Sequence, residues 1–152
     1  MISEATGRLA YDICVNICSL YAAIFFVLSL YHIYWAFGGK IGLNFVIPSK
    51  NGEPLFTPTP SMTFAVAVGL FIAGNIFLGQ MAFYSHFIPS SFFDWGMWGI
   101  FIIFLLRAIG DFNYVGFFKK HKKSHFALWD TRLFSPLCLF ISFGALFINI
   151  VG

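Results

Sequence analysis

Charged side chains are scarce in this sequence, at 10% of 152 residues, whereas hydrophobic residues reach 59%. A soluble domain usually carries about 25% charged residues, so this composition excludes an ordinary water-soluble enzyme. Disorder is excluded too, because an aromatic content of 21% is the opposite of what a solvated chain contains. No haem-attachment motif, nucleophile elbow, zinc-binding motif or nucleotide-binding glycine loop occurs, so we expect no metal and no cofactor. The composition predicts an integral membrane protein.

Four apolar segments are long enough to cross a bilayer. They cover residues 13–37, 62–88, 92–118 and 133–151, and each reaches the roughly 17–25 residues that a spanning helix needs. In lipid the backbone must satisfy its own hydrogen bonds, and no alternating strands of a barrel are present. The first segment is too long for a signal peptide and has no basic flank, so we count it as a span. The sequence therefore predicts an all-α four-helix transmembrane bundle, a single domain over residues 1–152.

The segments that connect the four spans contain turn-forming and helix-capping residues. Four prolines and the dipeptide Asn51-Gly52 fall in the long first connection, where Asn44 to Ile47 are extended in character. A short hairpin with a tight turn is one expectation, and a plain proline-rich linker is the other. In the fourth segment Asp130 or Thr131 is the expected N-cap, which would place Pro136 in the first helical turn, where proline is tolerated.

Basic residues predict the orientation. On one side of the four spans only Arg8 contributes. The other side holds seven: Lys40, Lys50, Lys119, Lys120, Lys122, Lys123 and Arg132. The positive-inside rule then puts the first and third connections, including the basic loop 119–132, in the cytoplasm. Both termini and the turn at Pro89 would face outward from an inner (plasma) membrane. The lysine cluster is expected to meet anionic lipid headgroups, not nucleic acid.

Arg107 is the anomaly of the third apolar segment, since a charge near its middle costs about 2.5–3.5 kcal/mol. Asp111 and Tyr114 follow at helical spacing on the same face. Because spans one and three run in the same direction, polar residues from several segments can gather in the cytoplasmic half of the bundle. The candidate ligand-binding residues are His32, Trp35, Arg107, Asp111, Tyr114, Asp130 and Arg132.

Two interpretations of this cluster stay open. In the structural one, Arg107 pairs with Asp111, and Arg132 pairs with Asp130 or with a helix end. In the functional one, the cluster lines a cavity that opens to the cytoplasm and binds or transports a small amphipathic or lipid-like ligand. Transport by alternating access would call for a homodimer. An accessory subunit without its own chemistry is the first alternative, and a small lipid-modifying enzyme using Asp111 or His32 as acid–base group is the second. Trp35 also fits an interfacial aromatic belt.

Several local strings carry a family resemblance. They are YHIYWA at 31–36, followed by Gly38-Gly39, then RAIGDF at 107–112, GFFK at 116–119 and FALWDTRLFSPL at 126–137. In this order they resemble an uncharacterised family of small bacterial four-helix inner-membrane proteins. The resemblance covers nearly the whole chain and implies a fold and a location. It implies no activity, so no site residue is carried over from it.

Overall fold

A computed structural model of the protein describes residues 2–50, 53–81, 88–122 and 124–151. In chain order, its elements are α1 (Ile2–Ala36), α2 (Leu43–Val46), strands β1 (Ser49–Lys50) and β2 (Glu53–Pro54), α3 (Pro60–Gln80), α4 (Ser90–Ile109), α5 (His125–Trp129), a π-helical segment (Asp130–Phe134) and α6 (Ser135–Val151). In this part of the chain, four helical stretches are long and apolar enough to cross a membrane: Tyr11–Ala36, Pro60–Gln80, Ser90–Ile109 and His125–Ile150. The predicted all-α, four-helix, multi-pass membrane fold is confirmed.

The four long helices pack as two pairs, α1 against α3 and α4 against α6. Aromatic rings join the two pairs in the core: the Tyr21 ring of α1 lies 5.0 Å from the Phe140 ring of α6, and the Phe25 ring of α1 lies 5.4 Å from the Phe104 ring of α4. Hydroxyl groups also bond one helix to another: Ser29 Oγ donates to Ala67 O (2.8 Å), Tyr21 OH to Phe140 O (2.9 Å) and Ser142 Oγ to Phe101 O (3.0 Å). In lipid such contacts hold helices together, because exclusion of apolar surface from water no longer does so.

The third span is shorter than predicted. Helix α4 ends at Ile109 and not at 118, because Gly110 takes φ 88° and ψ −170°, a backbone conformation outside the helical region. The following loop is itself apolar, with Phe112 and Phe118 exposed, so hydropathy alone did not mark the helix end. The other bounds shift as well: α1 begins before residue 13, and α3 ends at Gln80, whereas residues 82–87 of the predicted second span lie outside the described residues.

The fourth span begins earlier than predicted. Ser124 is its N-cap and accepts a hydrogen bond from Ala127 N (3.1 Å), so the expected cap at Asp130 or Thr131 is wrong. Pro136 therefore lies inside a continuous helical stretch, where its ring crowds the carbonyl four residues earlier. The π-helical turn just before it, in which Ser135 N donates to Asp130 O five residues back, widens the helix there and accommodates the proline.

The first connection is ordered at the same end of the bundle. Strands β1 and β2 pair antiparallel, so the expected hairpin is present, with its turn residues Asn51 and Gly52 outside the described residues. The expected extended stretch at 44–47 is instead mostly the one-turn helix α2. The Phe45 ring lies 5.5 Å from that of Trp129, and this contact holds α2 against α5. We call this end of the molecule, which also carries the lysine-rich loop, the basic end.

Candidate functional site

A buried carboxylate organises the basic end. Asp130 is fully buried, and its Oδ2 accepts hydrogen bonds from Lys119 Nζ (2.8 Å) and from the backbone N of Gly116 (2.8 Å). Its Oδ1 accepts from Arg107 Nη2 at 2.9 Å. The Lys119 side chain is only 1% exposed, and its Nζ also donates to Gly116 O at 2.9 Å. We call Arg107, Gly116, Lys119 and Asp130 the Asp130 cluster.

The loop after α4 brings Gly116 and Lys119 to the aspartate. Asp111 begins the loop, and its Oδ1 accepts from the backbone N of Asn113 (2.9 Å), Tyr114 (2.7 Å) and Val115 (2.9 Å). Desolvation by the surrounding loop acts to raise the pKa of the Asp111 carboxyl, but these backbone N–H groups outweigh it and hold the pKa below its ordinary value. The chain then turns back, and Phe117 N donates to Ala108 O at 2.9 Å. Asp111 is thus an exposed loop-forming residue.

The pairings expected under the structural interpretation are wrong. Arg107 pairs with Asp130, because α4 ends before Asp111 and the helical spacing between those two residues never forms. Arg132 is exposed in the π-helical segment, whereas Asp130 turns inward to Arg107 and Lys119. The prediction that the whole lysine cluster meets lipid headgroups is also wrong for Lys119, because this side chain is buried under the loop. Arg107 itself lies in the last turn of α4 and not near the middle of a span.

A cavity of about 740 Å³ lies next to the Asp130 cluster, between the four long helices. Its walls are mainly aliphatic and aromatic, with Ile100 and Phe104 from α4 and Leu137 and Ile141 from α6 among them. The residues that line it along α3 and α4 include several that are about half exposed or more: Val66 (49%), Ile72 (50%) and Ile103 (65%). The cavity therefore opens sideways between α3 and α4, towards the surface that faces lipid.

The polar wall of the cavity is at its basic end. His32 and Trp35 of α1 line it together with Arg107. His32 Nδ1 lies 2.8 Å from Leu28 O, and the His32 and Trp35 rings meet edge to face at 5.1 Å. Val46 of α2 completes this end. The arrangement is that of an amphipathic chamber: a long apolar compartment with a guanidinium and an imidazole at one end.

A protein-family comparison matches residues 25–145 to the family described as "Protein of unknown function (DUF3995)". The chain belongs to this family. No curated protein and no solved structure matches the chain significantly. The DUF3995 match runs from the middle of α1 into α6, so it includes the whole Asp130 cluster and the cavity wall. The predicted family, one of unknown function, is confirmed.

The structure sorts the predicted site residues of this DUF3995 protein into three groups. His32, Trp35 and Arg107 line the cavity, and Asp130 lies behind Arg107. Asp111 and Arg132 are exposed and are not among the lining residues. Tyr114 stacks on the ring of His121 at 4.7 Å, within the loop.

Lys119 and Gly116 were missed as partners of Asp130. The signal that could have found Lys119 is that a carboxylate in a membrane segment needs cationic partners close by. Nothing in the sequence identifies Gly116 as a hydrogen-bond donor, because the donor is its backbone N–H and not a side chain.

Proposed function

We propose that the protein binds a small amphipathic, lipid-like molecule in the cavity. The polar group of the ligand would lie at Arg107 and His32, and its apolar body along the aliphatic walls towards Ile141. The observation that carries this proposal is the combination of a cavity of about 740 Å³ with apolar walls and one charged end. Ligand pockets commonly measure roughly 300–1,000 Å³ and combine apolar walls with a few polar groups.

The sideways opening supports a ligand that arrives from the membrane. Val66, Ile72 and Ile103 flank the gap between α3 and α4, and all three are exposed on the lipid-facing surface. A water-soluble, polar molecule would gain nothing from the aliphatic walls and would have to lose its hydration to reach them. An amphiphile can slide in from the bilayer with its apolar part still in an apolar surrounding.

We further propose that the basic end is cytoplasmic in an inner (plasma) membrane, with both termini outside. Lys120 and Lys122, in the connection between α4 and α5, are exposed at this end, as the positive-inside rule requires of a cytoplasmic loop. The polar end of the cavity would then lie in the cytoplasmic half of the bundle, close to the headgroups of the inner leaflet.

Filling the cavity should abolish binding. Gly99 lines the cavity, and a Cβ added there would meet nothing within 4 Å, so Gly99→Phe projects a ring into open space. A reporter protein that keeps Trp35 as its sole tryptophan, in nanodiscs of zwitterionic lipid, measures binding through quenching by a brominated fatty acid. Gly99→Phe should weaken binding by at least about tenfold, since a ring in the cavity excludes an apolar chain.

Ile102→Phe is the matched control for this change. Ile102 is half exposed on the same helix and does not line the cavity. The dissociation constant of Ile102→Phe for the brominated fatty acid should stay within about twofold of that of the parent protein. Equal binding by the parent protein and Gly99→Phe would place the ligand outside the cavity and contradict the proposed function.

Thiol labelling tests the orientation. In a protein whose cysteines Cys14, Cys18 and Cys138 are replaced by alanine, Lys122→Cys and Ser90→Cys put single thiols at exposed positions at opposite ends of the bundle. A membrane-impermeant maleimide added to intact cells should label Ser90→Cys and spare Lys122→Cys until the membrane is opened. The reverse pattern would invert the proposed topology.

A further inference from the structure

We propose that the ligand is an amphiphile whose headgroup carries a single negative charge, such as a long-chain fatty acid. This inference rests on the proposed function and names the class of ligand for the same cavity. It follows from the charge balance of the Asp130 cluster and from the hydrogen-bonding state of Arg107.

The Asp130 cluster contains more positive than negative charge. One carboxylate, that of Asp130, faces two cations, with Lys119 Nζ at 2.8 Å and Arg107 Nη2 at 2.9 Å. The other acidic residue of the adjoining loop, Asp111, is exposed, and its Oδ1 accepts three backbone N–H groups. One positive charge is therefore left over at the end of an apolar chamber, where an uncompensated charge is costly.

The surplus charge is available on Arg107 and not on Lys119. Lys119 is buried under the loop, where its Nζ already donates to Asp130 Oδ2 and Gly116 O, and it does not line the cavity. Arg107 lines the cavity, its side chain is 35% exposed, and its one side-chain hydrogen bond within the described part of the chain runs from Nη2 to Asp130 Oδ1. A guanidinium has five N–H donors, so the exposed part of Arg107 still offers donors to an acceptor brought by the ligand.

A singly charged anion satisfies both requirements. Its oxygen can accept from Arg107, and its charge brings the cluster to neutrality. A neutral alcohol headgroup could accept the hydrogen bond but would leave the charge uncompensated. A cationic headgroup would add a second surplus charge.

The decisive experiment compares headgroups on one apolar chain. Brominated long-chain fatty acid, fatty alcohol and fatty amine are titrated into the Trp35 reporter protein in zwitterionic nanodiscs, above the pKa of the membrane-bound acid. The acid should bind at least about tenfold more tightly than the alcohol, and the amine should bind weakest. Acetate at the same concentration should not compete, because it lacks the chain that the aliphatic walls hold.

The outcomes separate the two proposals. If acid and alcohol bind equally well, the cavity binds amphiphiles but the charge assignment is wrong. If none of the three quenches Trp35, the proposed function fails and this inference fails with it. If acetate displaces the acid, the site binds a soluble anion and the amphiphile class is wrong.

Substitution of Arg107 then tests whether this residue causes the preference for acid over alcohol. Arg107→Gln keeps a polar group at the position but removes the charge, so the preference for acid over alcohol should fall to within about twofold while alcohol binding persists. Arg8→Gln, at the exposed start of α1, removes the same charge at the far end and should leave the preference intact. A preference retained in folded Arg107→Gln would overturn the assignment. If that variant does not fold, the comparison of headgroups on the unaltered protein still decides the ligand class.

Discussion

Replacing Asp130 by asparagine is expected to destabilise the protein by roughly 3–5 kcal/mol, the usual cost of removing one partner from a buried ion pair. Asparagine has nearly the same shape, so packing changes little. The buried Lys119, however, loses its counter-ion at 2.8 Å, and the single oxygen of asparagine cannot accept from Lys119, Arg107 and Gly116 N as the two carboxylate oxygens do. Thermal unfolding in detergent can be followed with a thiol-reactive dye in a Cys14→Ala background, because Cys14 is partly exposed whereas Cys18 and Cys138 are buried and should react on unfolding.

Asp111→Asn is the matched control for this substitution. Asp111 is exposed, and an asparagine Oδ1 can accept the same backbone N–H groups, so the unfolding temperature should change little. In the double variant Asp130→Asn with Lys119→Met, the buried unpaired lysine is removed, and part of the lost stability should return. Unchanged unfolding of Asp130→Asn, or no recovery in the double variant, would show that the ion pair does not stabilise the fold.

The number of spans was predictable from the sequence, whereas their ends were not. A bilayer imposes a minimum length of apolar helix, so the four segments were visible in the hydropathy alone. The ends depend on local backbone geometry: Gly110 ends α4 inside a run that continues with the apolar residues Phe112, Phe117 and Phe118. In a membrane protein a loop can be as apolar as a helix, so polarity does not separate the two.

The charges of the site were predictable, whereas their partners were not. Arg107 and Asp130 were identified because ionisable residues beside apolar segments are costly and rarely accidental. The choice of Asp111 as partner assumed an uninterrupted helix, and the helix stops between the two residues. Finding Lys119 required knowledge of the loop that carries it back over Asp130. That path is determined by backbone hydrogen bonds such as the one from Phe117 N to Ala108 O at 2.9 Å, which leave no pattern in the side chains.

Alanine in place of Gly116 should cause a loss of stability comparable to that of Asp130→Asn. Gly116 has φ 87°, a conformation that costs an alanine about 1–3 kcal/mol. A Cβ at this position would also run into Ile109 O and the Cα of Gly110, which are backbone atoms that cannot move aside independently. The loop would have to open, and the N–H that Gly116 donates to Asp130 would move away from the carboxylate. Together these effects amount to roughly 2–6 kcal/mol.

Gly110→Ala tests the same close approach of Gly110 and Gly116 from the Gly110 side. Gly110 has φ 88°, and its added Cβ would collide with Val115 O, so we expect a loss of stability similar to that of Gly116→Ala. Gly69→Ala and Gly99→Ala are matched controls, because a Cβ at either helical position meets nothing within 4 Å. Both variants should unfold at or slightly above the unfolding temperature of the parent protein, because alanine has a higher helix propensity than glycine. If Gly116→Ala and Gly110→Ala unfold like these controls, the close approach of the two glycines does not hold the loop. The burial of Lys119 would then need another cause.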